Sequence, residues 1–136
     1  MSIQFKNAGI WLLRLIAAFI LIQTLFFKFS ASEESVYIFT ETGMEPWGRI
    51  GTGIAELIAA ILILIPLTTW IGSLMGIGLM SGAIFFHLAK LGIVVKNDGG
   101  LLFIYALVVL ICCIILVLIN RQRIRQLLKN AGVFKL

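Results

Sequence analysis

Four apolar runs, at about 10–29, 47–65, 70–88 and 101–119, dominate the chain and leave only short polar segments between them. Each run is 19 or 20 residues long. At ~1.5 Å per residue a helix of that length spans the ~30 Å hydrocarbon core of a bilayer. A soluble domain of 136 residues could not hide the 61% of its residues that are hydrophobic, with only 12% charged. The mean hydropathy of +1.11 points the same way. The expected architecture is therefore all-α: an integral membrane four-helix bundle, 1–136 forming one membrane domain with lipid as its main partner. The first run is too long for the apolar core of a secretory signal, and "FKFSASEES" offers no convincing cleavage site, so it is expected to be a retained helix.

Lysine and arginine set the expected orientation. The tail at 120–136 carries Arg121, Arg123, Arg125, Lys129 and Lys135, whereas the first loop holds Glu33, Glu34, Glu41 and Glu45 and no cation. The positive-inside rule then puts both termini in the cytoplasm, as an even number of spans requires. The net charge of +5 is thus mainly a topology signal. Ile124, Leu127, Leu128 and Ala131 recur at helical spacing among the basic residues. Such an amphipathic tail suits an anionic leaflet and argues against nucleic-acid binding.

Local signals mark the helix ends. Pro46 and Glu45 suit the start of the second helix, Pro66 its end, Thr68 or Thr69 the next start, and Asn97 or Asp98 the last. Trp11, Trp47 and Trp70 each fall where a membrane interface is expected. Small residues predict the packing faces, notably Gly72-x-x-x-Gly76 and Gly78-x-x-x-Gly82. The second and third helices should form an antiparallel hairpin.

Glu56 is the sharpest single feature, about nine residues into the second helix and near the bilayer midplane. An ionised group there costs ~2.5–3.5 kcal/mol on insertion scales, so it should face the bundle interior and find a partner or a proton. Arg49 shares its face but lies ~10 Å away along the axis, too far for direct pairing. Arg14 and Lys28 share one face of the first helix with Ala17, Leu21 and Thr24, while Gln23 falls on the other side. Both cations could also snorkel to the headgroups. His87 and Asp98 come at the outer ends of the third and fourth helices, and Tyr105 one heptad before Cys112. The expected site is a polar pocket in the outer half of the bundle, with Glu56, His87, Lys28, Arg49, Arg14, Asp98 and Tyr105 as candidates. No catalytic role is assigned to any of them.

Cys112 and Cys113 are adjacent, point about 100° apart on a helix and form no C-x-x-C motif, so they read as small core residues. One histidine with scattered acids gives no metal-ligand spacing, and no intrinsic cofactor is expected.

Taken in order, "RLIAAFILIQTLFFKF", "GMEPWGRIGTGIAELIAAILILIP", "MSGAIFFHLAKLGI" and "NDGGLLFIYAL" resemble the DoxX family of small bacterial four-helix membrane proteins over about residues 10–120. The matching positions are Arg14, Lys28, Glu56, His87 and Asp98. The resemblance implies a multi-pass protein of the bacterial inner membrane. Some relatives are linked to thiosulfate:quinone oxidation and others to membrane redox-stress complexes, so it also implies a quinone- or thiol/sulfur-related redox component. Quinone is the implied cofactor, a small anionic or quinone-like molecule the implied ligand, and a membrane protein or second copy the implied partner. Whether the chain is itself an enzyme stays open. The alternatives are a non-enzymatic membrane scaffold or assembly partner, and a small proton-coupled transporter.

Overall fold

The structure is a computed structural model describing residues 3–132; the last residues of the basic tail, 133–136, lie outside the described residues. Among the described residues six α-helices follow in order: α1 (Ile3–Phe29), α2 (Glu33–Glu41), α3 (Trp47–Leu64), α4 (Thr69–Phe86), α5 (Leu101–Ile119) and α6 (Arg121–Asn130). A π-helical turn, His87–Leu91, continues α4. No strand occurs among the described residues. Helices α1, α3, α4 (with the π turn) and α5 are the ones long and apolar enough to cross a membrane. They close into a ring in which α1 packs on α3 and α5, and α4 packs on the same two. We call the end holding both termini proximal and the opposite end distal.

The distribution of side chains is that of a membrane protein turned outward. Phe19, Phe26, Ile54, Ile58, Phe85, Ile111 and Leu118 are exposed around the bundle. Arg14, Arg49, Glu56, Ser73 and His87 are buried within it. Water would reverse that arrangement; hydrocarbon favours it. The core is built from small residues, including Ala17, Ala18, Ala59, Ala60, Ala106 and Cys113. Such residues let helices approach closely where burial from water supplies no drive.

Two features depart from the expectation. The first helix begins seven residues earlier, at Ile3 rather than Ile10, because the polar lead-in "IQFKNAG" continues the helix beyond the apolar run. The first loop contains α2. Ser32 accepts a hydrogen bond from the N–H of Ser35 (3.2 Å), and Glu33 and Glu34 sit in the positive first turn. Ser35 and Phe39 then face inward, so α2 lies across the distal end against α1 and α3.

The turn between α3 and α4 also differs in detail. Ile65 is extended, as a residue before proline must be, and ends α3 at Leu64. Thr68 and Thr69 do not cap α4 with their side chains. Their hydroxyls donate backwards, Thr68 to Leu62 O and Thr69 to Ile63 O, both at 2.9 Å. The last carbonyls of α3 would otherwise be unpaired in lipid, and this need outweighs the usual capping preference.

Asp98 does organise the start of α5. Its carboxylate accepts from the N–H groups of Val95 (3.0 Å), Gly100 (2.8 Å) and Leu102 (3.3 Å). Burial pushes its acidity one way, raising the pKa, but those three bonds and nearby His87 together hold it below the ordinary value. A carboxyl depressed on folding adds stability that is present above the unfolded value of ~3.9 and is lost as pH falls through the folded one. Asp98→Ala should therefore cost about 1 kcal/mol at neutral pH, the scale of a lost helix cap. Melting in detergent should show that deficit shrinking below about pH 4.

Candidate functional site

Glu56 stands nine residues after Trp47, at the start of α3, about 14 Å along the helix axis, and is 5% exposed. Across the α1–α3 interface, Lys28 Nζ donates to both of its oxygens, at 2.8 Å to Oε1 and 2.7 Å to Oε2. Thr24 Oγ1 donates to Oε2 at 3.2 Å. Thr24 and Lys28 are four residues apart on α1, so one helical face delivers both to the same carboxylate. The Lys28 side chain is 15% exposed, and rather than reaching for headgroups it turns inward to its counter-ion. An ion pair of this kind is the arrangement that makes a carboxylate tolerable at such depth.

The pair forms part of the wall of a cavity of about 640 Å³ in the distal half of the bundle. Ile20, Leu21, Gln23, Phe27 and the Thr24–Lys28 face line it from α1; Thr52 and Glu56 from α3; Leu79, Met80, Ala83 and Phe86 from α4. Leu101, Leu102, Tyr105 and Ala106 come from α5, and α2 covers the distal side with Glu34, Ser35, Ile38 and Phe39. Most of this surface is apolar. Polar groups converge on it from several helices, the composition usual for small-molecule sites of ~300–1,000 Å³.

His87 lines the cavity at 5% exposure. Its Nδ1 lies 2.9 Å from Gly92 O, and because a carbonyl only accepts, Nδ1 carries a proton. In the neutral ring Nε2 is then an acceptor, left without a partner among the described residues. The Phe103 ring packs edge-on at 5.6 Å and fixes the imidazole plane. Glu34, half-buried on α2, is pushed above the usual carboxylate range by burial and then by the charge of Asp98. Lys96 clasps the cover from outside: its Nζ lies 4.7 Å from the Tyr37 ring centroid and 4.0 Å from Glu33.

The structure brings Glu56, Lys28, His87, Asp98 and Tyr105 to one cavity, and does not bring Arg49 or Arg14 there. Arg49 turns to Glu45 one helical turn earlier (Nε to Oε1, 2.9 Å) and donates through Nη1 to the Lys28 carbonyl. Its effect on the site is to pin the distal end of α1 to α3. Arg14 lies at the proximal end, 3% exposed, with Nε on Ile63 O at 2.8 Å and Nη2 on Leu64 O. Its guanidinium also stacks on Trp11, 3.7 Å from the ring centroid. Sharing a helix face with Lys28 placed it inward, but fourteen residues put it at the other end. Gln23, expected on the far side of α1, reaches the cavity because the wall sweeps a wide arc of that helix. The lining residues of α2 were missed for want of the helix, although "SEESVYIF" carries a capping serine and an acidic first turn. Among the described residues no group of His, Cys, Asp or Glu could hold a metal ion.

A family model described as DoxX-like matches residues 12–117. The chain belongs to the DoxX-like family. The DoxX-like segment runs from within α1 to within α5 and contains every residue that lines the cavity; α6 falls outside it. No curated protein and no solved structure matches the chain. Four apolar helices and family membership make this DoxX-like chain a multi-pass membrane protein.

Proposed function

We propose that the chain is a redox-linked membrane component of the bacterial inner membrane that binds a quinone in its distal cavity, with both termini cytoplasmic. The supporting observation is the Lys28–Glu56 ion pair set into an otherwise largely apolar wall. Such a surface suits a lipid-soluble ring carrying two hydrogen-bonding oxygens. An ammonium has three donors, of which two go to Glu56, leaving Lys28 able to donate a third. The Tyr105 hydroxyl can donate from α5, and His87 Nε2 can accept from a hydroxyl. Bound quinone would supply two-electron, two-proton redox chemistry. Glu56 and His87 are the groups able to hold and pass protons beside it.

Charge favours a neutral ligand over a sulfur oxyanion. The cavity is lined by one lysine and by three carboxylates, Glu56, Glu34 and Asp98. Lys28 is already matched by Glu56, so an incoming anion would meet an excess of negative charge. Basic residues on α6, with every acid at or beyond mid-span on the distal side, support the cytoplasmic placement of the termini. The exchange of electrons is assigned to a partner subunit.

Mass spectrometry of small molecules co-purifying in mild detergent tests the reading. A quinone should accompany the wild type. Glu56→Gln keeps an acceptor for Lys28 and should fold, while weakening quinone binding. Protein from native membranes that carries no quinone, and takes none up when it is added, would sink the proposal.

A further inference from the structure

The hairpin of α3 and α4 is tight at its proximal turn and loose above it. A Cβ on Gly72 would lie 2.7 Å from both Ala59 O and Ile63 N, so the two backbones touch there. Further along α4, a Cβ on Gly78 or Gly82 would meet nothing within 4 Å, although both residues line the cavity. Gly78 is itself exposed, and Leu74, one turn earlier on the same stripe, is exposed on the outer surface of the bundle. Gly78 stands nine residues from Thr69, about 14 Å into α4 and so near the middle of a ~30 Å core. An opening at that depth faces acyl chains, not water.

We propose that the cavity opens sideways into the hydrocarbon between α3 and the distal half of α4, across Gly78 and Gly82, and that a quinone enters there and leaves its isoprenoid tail lying over the two glycines. This rests on the quinone reading above. The tail need never leave lipid, so the site has only to bind the ring. Glycine supplies the missing side-chain volume at the two positions where a chain must pass close to the α4 backbone. The ring then meets Thr52, Glu56 and Lys28 at the inner end of the slot.

The test uses the full chain in nanodiscs and two probes, a long-tailed ubiquinone and a tail-less dimethoxybenzoquinone. Gly78→Leu and Gly82→Leu fill the slot from positions with open space around them, so both should melt like the wild type. Each should weaken the long-tailed probe by about tenfold or more while leaving the tail-less ring within about twofold. A second approach uses a flexible, unbranched side chain: Gly78→Met should have the same selective effect. Wild-type affinity for the long-tailed probe in both leucine variants and in Gly78→Met would overturn the lateral route. Equal loss of both probes would overturn it too. A wild type that binds neither probe instead overturns the quinone reading itself.

Discussion

Lys28→Met should destabilise the folded protein more than Glu56→Leu, and the double variant should recover most of the loss without recovering ligand binding. Removing one partner of a buried ion pair typically costs about 3–5 kcal/mol, because the other charge is left uncompensated. Here the two survivors differ in what they can do. Lys28 is the penultimate residue of α1, with a four-carbon stem that can carry a freed ammonium toward the distal interface. Glu56 is about 14 Å inside α3 on a short side chain, cannot reach the headgroups, and without Lys28 must either stay uncompensated or be neutralised by a proton at a cost. Its remaining bond, from Thr24 Oγ1 at 3.2 Å, cannot replace a full charge. The cost of Glu56→Leu should therefore fall at or below the lower end of that range and the cost of Lys28→Met near the upper end. Replacing both partners by apolar side chains of similar size is often close to neutral, so Lys28→Met/Glu56→Leu should refold well. Unfolding in denaturant-containing micelles, with a quinone-binding assay on each variant, measures both halves. Equal costs for the two single variants would mean that Lys28 has no route to the headgroups. A double variant that still binds quinone would remove the pair from the site.

The bundle was legible in the sequence because hydropathy and length act on each helix separately. A run such as "LLFIYALVVLICCIILVLI" needs no knowledge of its neighbours to be read as α5. Burial of Glu56 was legible for the same reason: the bilayer penalises the charge wherever the partner lies. The identity of that partner was not, since the Lys28–Glu56 bond depends on the axial register of α1 against α3, which no single-helix periodicity contains. Arg14 shows the same limit from the other side. Its helix face is read correctly and its depth excludes it from the site, where it instead satisfies carbonyls of a helix end created by Pro66. α2 was hidden for a different reason: its polar residues, among them Glu33, Glu34, Ser35, Thr40 and Glu41, mask the inward Phe39 in any average of hydropathy. Short covers of this kind declare themselves through caps more than through composition.

Gly72→Leu should prevent the bundle from assembling, and even Gly72→Ala should be costly, whereas Gly78→Ala should be neutral to slightly stabilising. All three glycines-to-larger changes fall on one helix, α4, and each gains helical propensity of up to about 1 kcal/mol, so propensity alone predicts stabilisation in every case. Packing decides otherwise. The Cβ at 72 would press at 2.7 Å on Ala59 O and Ile63 N, which are backbone atoms of α3 and cannot rotate aside. Moving them apart would also disturb the Ile63 carbonyl, which already accepts from Arg14 at 2.8 Å and from Thr69 at 2.9 Å. Overpacking commonly costs about 1–3 kcal/mol, and a collision against backbone atoms beside a carbonyl that anchors two side-chain donors belongs beyond that range. At Gly76 the obstacle is softer: a Cβ there would meet Cys113 Sγ at 2.6 Å, so Cys113→Ala should partly rescue Gly76→Ala. No single trimming can rescue Gly72. Thermal melts in detergent should therefore rank Gly78→Ala, Gly76→Ala and Gly72→Ala in order of falling stability. A Gly72→Ala protein as stable as the wild type would show that α3 and α4 are not clamped at their turn, and the narrow-to-wide shape that opens the cavity toward lipid would lose its hinge.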